Sequence, residues 1–376
     1  MRIAVLVSND LSFDQRVKKT CRVLEAAGHE VLLVGREMPE SVPYEGPGTA
    51  TRLKLKNKSG VRFYAELQRV LIKWLKGVDV DAIWANDLDT LLPAVVVGKK
   101  KGIRVVYDSH EFFTEAAGLT DAPLKRWVWL MIEKYTVPKV GSMITVNSSI
   151  AENYRCRYGV HVDVLRNMPE LNDIPEVEHR TPFEQYGVPT DKPILLLQGA
   201  FMDRDRGTKE AVDSMEFIDD ATLVLVGAGI EWEESKERLD DPRWKGRLFC
   251  IPKLPYEELK KLTASADIGL SLDKASHINY QLSLPNKLFD FLHVGLPIVA
   301  SPMVEVVKII NQYMVGVVVE KVEPNHIASA VKKMLEKPKS VWLKACMNAR
   351  ENLHWGADSH VIIEQLEKAS YQPWVK

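Results

Sequence analysis

The chain has 376 residues, 46% hydrophobic and 27% charged, with a formal net charge of −1. That length and apolar content suit two ordinary globular domains, and the balanced charge argues against a nucleic-acid partner. No apolar run approaches membrane-span length (the longest covers 91–97), and Cys21, Cys156, Cys250 and Cys346 are too dispersed for a metal spacing or a disulfide framework.

Met1-Arg2 leads straight into IAVLV, a continuous apolar run that reads as a parallel strand buried on both faces, with no leader ahead of it. Together with thiols read as reduced, this predicts a cytoplasmic protein. A polar loop, SNDLSFDQR, precedes a helix over 17–27 that ends at Gly28, and 31–34 is the next strand. Strands follow at 82–85, 105–107 and 143–146, with a helix over 89–101. Each strand runs out into polar residues: Asn86-Asp87, Asp108-Ser109-His110-Glu111, and Asn147-Ser148. Strands alternating with helices predict a doubly wound parallel sheet, whose ligands bind just past the strand C-termini.

The segment 166–193 carries Pro169, Pro175, Pro182, Pro189 and Pro193 and reads as an interdomain connection. A second βα series begins at 194–197. Further strands are predicted at 223–226, 247–251, 268–271, 298–300 and 317–319, with helices over 208–215, 256–265 and 325–335. The tail over 341–371 reads as helical, interrupted at Trp355-Gly356. The predicted fold is therefore α/β with two Rossmann-like, doubly wound domains facing each other across a cleft, a favoured place for a ligand. The domains are assigned to 1–170 and 171–355.

In the second series, the loop 198–207 joins a strand to a helix and brings Arg204, Arg206 and Lys209 near that helix N-terminus, where free N–H groups favour a phosphate. The plainer reading is a solvated basic loop. Gly227-Ala228-Gly229 is a GxG without a third glycine, and the first βα turn has no glycine, so a nicotinamide cofactor is not expected. Gly227 and Gly229 read instead as a tight turn that lets a ligand approach the backbone. LPNKLFDFLHVGLPIVAS, from Leu284 to Ser301, reads as a Pro-Asn turn, a short helix and a strand. Asp290 in that helix either complements the helix N-terminus or accepts ribose hydroxyls, and Lys287 is either solvated or neutralises phosphate. In the first series, Asp14, Arg16, Asn86, Asp87, His110 and Glu111 are all placed on the cleft side, with His110 as a hydroxyl ligand or proton carrier. No Ser-His-Asp order, HExxH or P-loop is present. The helix over 62–76 is basic, with Leu67, Val70, Leu71, Trp74 and Leu75 at helical spacing. It reads first as a surface helix with its stripe in the core, and second as a weak peripheral membrane contact at the inner face of the membrane.

Five stretches, in order, carry a resemblance over nearly the whole chain: DLSFDQRVKKTCRVLEAAGHEV, IWANDLDTLLPA, VVYDSHEFF, QGAFMDRDRG and LPNKLFDFLHVGLPIVAS. The chain resembles the retaining glycosyltransferases of family 4, which have the GT-B fold. The resemblance implies a nucleotide-sugar donor, a UDP-sugar or GDP-sugar, held by the C-terminal domain and a glycan or lipid-linked acceptor held by the N-terminal one. It implies no cofactor and no metal. Asp290 matches the second acid of the family's E-x7-E pair, on ribose, while Leu282 stands where the first acid is usual. Phe201 falls at the usual arginine and Arg206 at the usual lysine, with Lys287 as a second cation. His110 matches a histidine near the donor sugar.

The donor set is thus expected to be Gly199, Arg206, Lys209, Gly227, Lys253, Leu254, Ser283, Leu284, Pro285, Asn286, Lys287 and Asp290. Asp14, Arg16, Asp87, His110 and Glu111 are expected on the acceptor, with His110, Arg206 and Lys287 catalytic. The C-terminal helix, 356–376, is expected to pack back on the N-terminal domain. The alternatives are a sugar-nucleotide epimerase of the same fold and a non-catalytic sugar-nucleotide-binding or scaffold subunit.

Overall fold

The computed structural model describes residues 1–368 apart from 13, 173, 178 and 179. Phe13 of the first stretch and the tail from 369 to 376 therefore lie outside the described residues. The chain divides into two compact units: Met1–Asn167 with the segment beginning at Asp358, and Met168–Ala357.

The first unit holds β1 (Arg2–Leu6), β2 (Glu30–Arg36), β3 (Thr49–Leu53), β4 (Ala82–Asn86), β5 (Arg104–Ser109), β6 (Ser142–Thr145) and β7 (Asp163–Val164). They form one parallel sheet in the order β3-β2-β1-β4-β5-β6-β7. Ile3, Ala4, Val5 and Leu6 are all fully buried, so helices cover both faces of β1, as its unbroken apolar run requires. The edge strands β3 and β7 carry no such run, which is why sequence patterning does not reveal them. The helix Gly60–Gly77 buries Phe63, Leu67, Leu71 and Leu75, one stripe at four-residue spacing. The apolar face of the basic segment is thus in the core rather than turned outward. The helix His360–Lys368 returns to this unit and packs on the helix Gln15–Ala26 and on β6. Gln365 and Lys368 both reach the Asp163 carboxylate at 2.7 Å.

The second unit holds β8 (Ile194–Gly199), β9 (Thr222–Gly227), β10 (Leu248–Pro252), β11 (Ile268–Ser271), β12 (Ile298–Ala300) and β13 (Gly316–Val318). Their order is β10-β9-β8-β11-β12-β13, again parallel. Alternate residues of β8 enter opposite cores: Ile194 and Leu196 one, Leu195 and Leu197 the other. In both sheets the strand order reverses once, between β1 and β4 and between β8 and β11. Loops leaving those strands diverge to opposite faces, and the crevice between them is where an open α/β sheet binds its ligand.

Candidate functional site

In the second unit, the two loops at the reversal point are tied together. The backbone N–H of Lys274, beyond β11, donates to the Asp205 carbonyl, beyond β8, at 2.8 Å. Gly207 makes this approach feasible. Its φ is +70°, and a Cβ there would collide with the Leu272 carbonyl oxygen. Arg206 is consequently brought to Asp273, with Nη1 2.9 Å from Oδ1. Lys287 arrives from the start of the helix Asn286–His293, with Nζ 2.9 Å from Asp273 Oδ2. That helix buries Leu288, Phe289, Phe291 and Leu292, which leaves Lys287 and Asp290 on its other face.

Asp273 is almost completely buried and holds both cations. Burial alone would raise its carboxyl, but Lys287 and Arg206 outweigh it and hold the group below the usual carboxylate range. One buried carboxylate against two converging cations leaves a net positive charge at the reversal point of the sheet. Sequence reasoning missed Asp273. The signal available was its place two residues past the end of a buried strand, on the flank where ligands bind.

Asp290 is one turn from Lys287 and accepts from the Tyr256 hydroxyl at 3.3 Å. It lines a small pocket with Tyr256, Gln198, Lys260, Thr263 and His293, whose polar groups suit a hydroxylated ligand. Gln198 is oriented there by the Thr263 hydroxyl, which donates to its Oε1 at 2.8 Å. Burial drives His293 down to about 4, so it is neutral, and its ring is tied to the Leu353 carbonyl at 2.7 Å.

The remaining expected donor residues are only partly gathered here. The Lys209 ammonium pairs with Asp213 at 3.3 Å and its backbone N–H donates to Glu231 at 3.2 Å, so it is not gathered onto Asp273 with Arg206. A Cβ at Gly227 would strike the Gly199 carbonyl oxygen, its partner across the ladder, so strand packing already demands the glycine there. Lys253 lies 3.8 Å from the centre of the exposed Phe201 ring, while Leu254 and Leu284 pack against the core. Ser283 hydrogen-bonds back to the Tyr280 carbonyl, and Pro285 precedes the helix, leaving Asn286 as its first residue.

In the first unit, the polar strand ends of β4 and β5 meet. The His110 ring is hemmed by acceptors on both nitrogens: Asp87 at 3.5 Å from Nδ1, and Asn86 Oδ1 at 3.1 Å and Asp108 at 3.6 Å from Nε2. A carboxylate beside each nitrogen favours the imidazolium. Burial alone would lower the group, but Asp87 and Asp108 outweigh it and raise His110 to about 9. Asp87 itself holds φ +59° and accepts from the His110 backbone N–H at 2.9 Å, a strained backbone of the kind that collects at functional sites. Asp89, buried in the next helical turn, is pushed up to about 7 by burial and by Asp87.

Arg16 is buried, its Nη2 is 2.6 Å from Asp108, and it also donates to the Leu165 carbonyl at 2.8 Å. It positions Asp108, and through it His110, and is not exposed to an acceptor. Asp14 caps the helix Gln15–Ala26 by accepting from the Val17 N–H at 3.0 Å. Glu111 is half-buried beside this cluster, its carbonyl accepting from the Ser109 hydroxyl at 2.7 Å.

Among the described residues, no helix is long and apolar enough to cross a membrane, and no three His, Cys, Asp or Glu side chains are grouped to hold a metal ion.

Two family models match. Residues 14–168 match the glycosyl transferase 4-like domain, and residues 192–337 match the glycosyl transferases group 1. No curated protein matches the chain. Among solved structures, sucrose-phosphate synthase from Thermosynechococcus elongatus is 18% identical, covering 99% of each chain with a TM-score of 0.76. Anabaena HepE in complex with UDP is 14% identical, covering 98% of this chain and 100% of its own, with a TM-score of 0.72. A structure described as trehalose-6-phosphate from E. coli bound with UDP-2-fluoro glucose is 11% identical, covering 99% and 100%, with a TM-score of 0.72. At such identities these likenesses establish the shared fold.

Proposed function

The chain belongs to the group 1 glycosyltransferases and has their GT-B fold, and on that premise we propose that it is a retaining enzyme moving a sugar from a UDP-sugar or GDP-sugar to a hydroxyl of a glycan or lipid-linked acceptor. The observation that carries the reading is the convergence of Arg206 and Lys287 on Asp273 at the reversal point of the second sheet. Two cations fixed there in advance can receive a diphosphate without reorganising. The Asp290–Tyr256–Gln198 pocket, one helical turn away, offers acceptors and donors for a ribose.

In the proposed reaction, Arg206 and Lys287 stabilise the charge that grows on the diphosphate as its bond to the anomeric carbon breaks. The acceptor oxygen bonds to that carbon from the face the diphosphate leaves, and its proton passes to the departing phosphate oxygen. His110, charged at neutral pH, orients hydroxyls and stabilises negative charge and does not act as a base. No metal is assigned a part, because the two side-chain cations can supply the charge the leaving group needs.

Calorimetry with UDP and GDP, followed by assay of nucleotide release from their sugars and NMR of the product's anomeric configuration, tests this. Binding of one diphosphate, weakened in Arg206→Ala and Lys287→Ala, is expected together with a retained configuration. Unchanged affinity in both variants refutes the donor site, and an inverted product refutes the retaining course.

A further inference from the structure

The helix Pro123–Thr136 is amphipathic in an unusual sense: one side is buried and the other is apolar and bare. Its Trp129, Glu133 and Thr136 face the core, with the Trp129 ring 5.0 Å from those of Tyr64 and Phe113. Leu124, Trp127, Val128, Met131 and Tyr135, at steps of three and four residues, form one stripe on the outside. Leu124 is 76% exposed and Trp127 58%. Scattered exposed apolar residues are ordinary, but five on one helix face are a patch.

The charges around the stripe indicate what it meets. Lys125 and Lys134 are exposed on the same helix, and Lys139 follows it with Nζ 3.5 Å from the centre of the Tyr135 ring. Two acids of this region are turned inward. Glu133 is buried and accepts from Tyr158 at 2.6 Å, and Glu115 is buried and paired with Arg126 and Arg157. Of the nearby acids, Asp121, just ahead of the helix, is exposed. The neighbouring helix Gly60–Gly77, joined through Tyr64, adds exposed Arg62, Arg69, Lys73 and Lys76, and its single acid, Glu66, is held by the backbone of Lys56 and Asn57.

We propose that this face of the helix Pro123–Thr136 docks on an anionic lipid surface, with Leu124, Trp127, Val128 and Met131 in the outer acyl region and the lysines at the headgroups. Trp and Tyr suit such an interface because each has an apolar body and a polar tip. Apolar area and basic flanks are the two elements that surface-bound helices combine. A second copy of the chain fits less well: five side chains fall far short of the roughly 20–30 residues per side of a stable protein interface. The membrane contact is thus carried by this helix and not by the apolar stripe of Gly60–Gly77, which is in the core. This inference stands apart from the donor reading, since lipid binding needs neither nucleotide nor acceptor.

The full chain, without nucleotide, is tested by co-sedimentation with vesicles of phosphatidylcholine alone and of equal parts phosphatidylcholine and phosphatidylglycerol. Binding to the mixed vesicles, reduced by salt, is expected, and the double variant Leu124→Ser, Trp127→Ser should bind at least about tenfold more weakly with an unchanged melting curve. Lys125→Glu with Lys134→Glu should remove the preference for phosphatidylglycerol while the fold persists. The proposal is overturned if the wild-type chain stays in the supernatant with both vesicles, or if the serine variant binds as the wild type does. It is equally overturned if sedimentation velocity shows a dimer that the serine variant dissolves, which would make the face a contact between copies.

Discussion

The Arg206 guanidinium lies 2.9 Å from the Asp273 carboxylate although 67 residues separate them in the chain. The pair joins the two loops that flank the strand-order reversal of the second sheet, and Lys287 completes it. Asp273 therefore does two things at once. It holds two cations in place, and it competes with any diphosphate for them.

Replacing Asp273 by Asn should separate those roles. Loss of a buried ion-pair partner should destabilise the free protein by about 2–4 kcal/mol, because Lys287 and Arg206 are left without their counter-charge. A bound diphosphate would restore that charge. Thermal shift by UDP or GDP should accordingly be larger in Asp273→Asn than in the wild type. A smaller shift would mean that positioning by Asp273 outweighs its competition.

Arg206→Ala and Lys287→Ala should each weaken nucleotide diphosphate binding by roughly 10–100-fold, the value of one charge-assisted contact of about 1.5–3 kcal/mol. Asp290→Ala should instead weaken nucleoside diphosphate binding while leaving that of inorganic pyrophosphate unchanged, because its pocket is assigned to the ribose. Calorimetry with the two ligands distinguishes these patterns.

Gly207→Ala should cost about 2–4 kcal/mol in urea denaturation, since it imposes a positive φ on a residue with a Cβ and drives that carbon into the Leu272 carbonyl. The same variant should lose diphosphate affinity, because the loop carrying Arg206 can no longer close on Asp273. Full affinity would show that Arg206 reaches the anion from a different loop position.

His110 should make stability depend on pH in the alkaline direction. Its group is raised from 6.5 to about 9, so its contribution is fully present below about pH 6.5 and is lost as pH rises through 9. Partial exposure to solvent reduces its size to roughly 1–3 kcal/mol. Urea titrations of the wild type should therefore weaken across that window, and those of His110→Gln should weaken less. Asp108 acts in the opposite direction: it is held low by Arg16 and His110 against burial, so its contribution is present above the normal carboxylate range and falls away in acid.

Much of the architecture was legible because its signals are local. The unbroken apolar run of β1 reports burial on both faces, and polar residues immediately after β4 and β5 report strand C-termini. LPNKLFDFLHVGLPIVAS reads as turn, helix and strand from its own residues, and the structure forms the helix Asn286–His293 and β12 within it. The edge strands β3 and β7 of the first sheet were not legible, since neither carries an unbroken apolar run, whereas β10 and β13, the edges of the second, were.

Which charged groups meet could not be read in this way. Arg16 lies beside an apparent ligand loop in the chain, yet its partner is Asp108, 92 residues on, and the pair is buried. Asp273 follows β11 with no local mark, and Lys209, in the first turn of the helix after Arg206, does not join it. Sequence by itself determined the strands, the glycine turns and the residue types available for chemistry, because backbone preference and burial pattern act over a few residues. The tertiary structure alone decided that Asp273 gathers Arg206 and Lys287, and that the bare apolar face belongs to Pro123–Thr136 rather than to Gly60–Gly77. Strand register and helix packing set distances between residues far apart in the chain, and charge pairing and exposure depend on those distances.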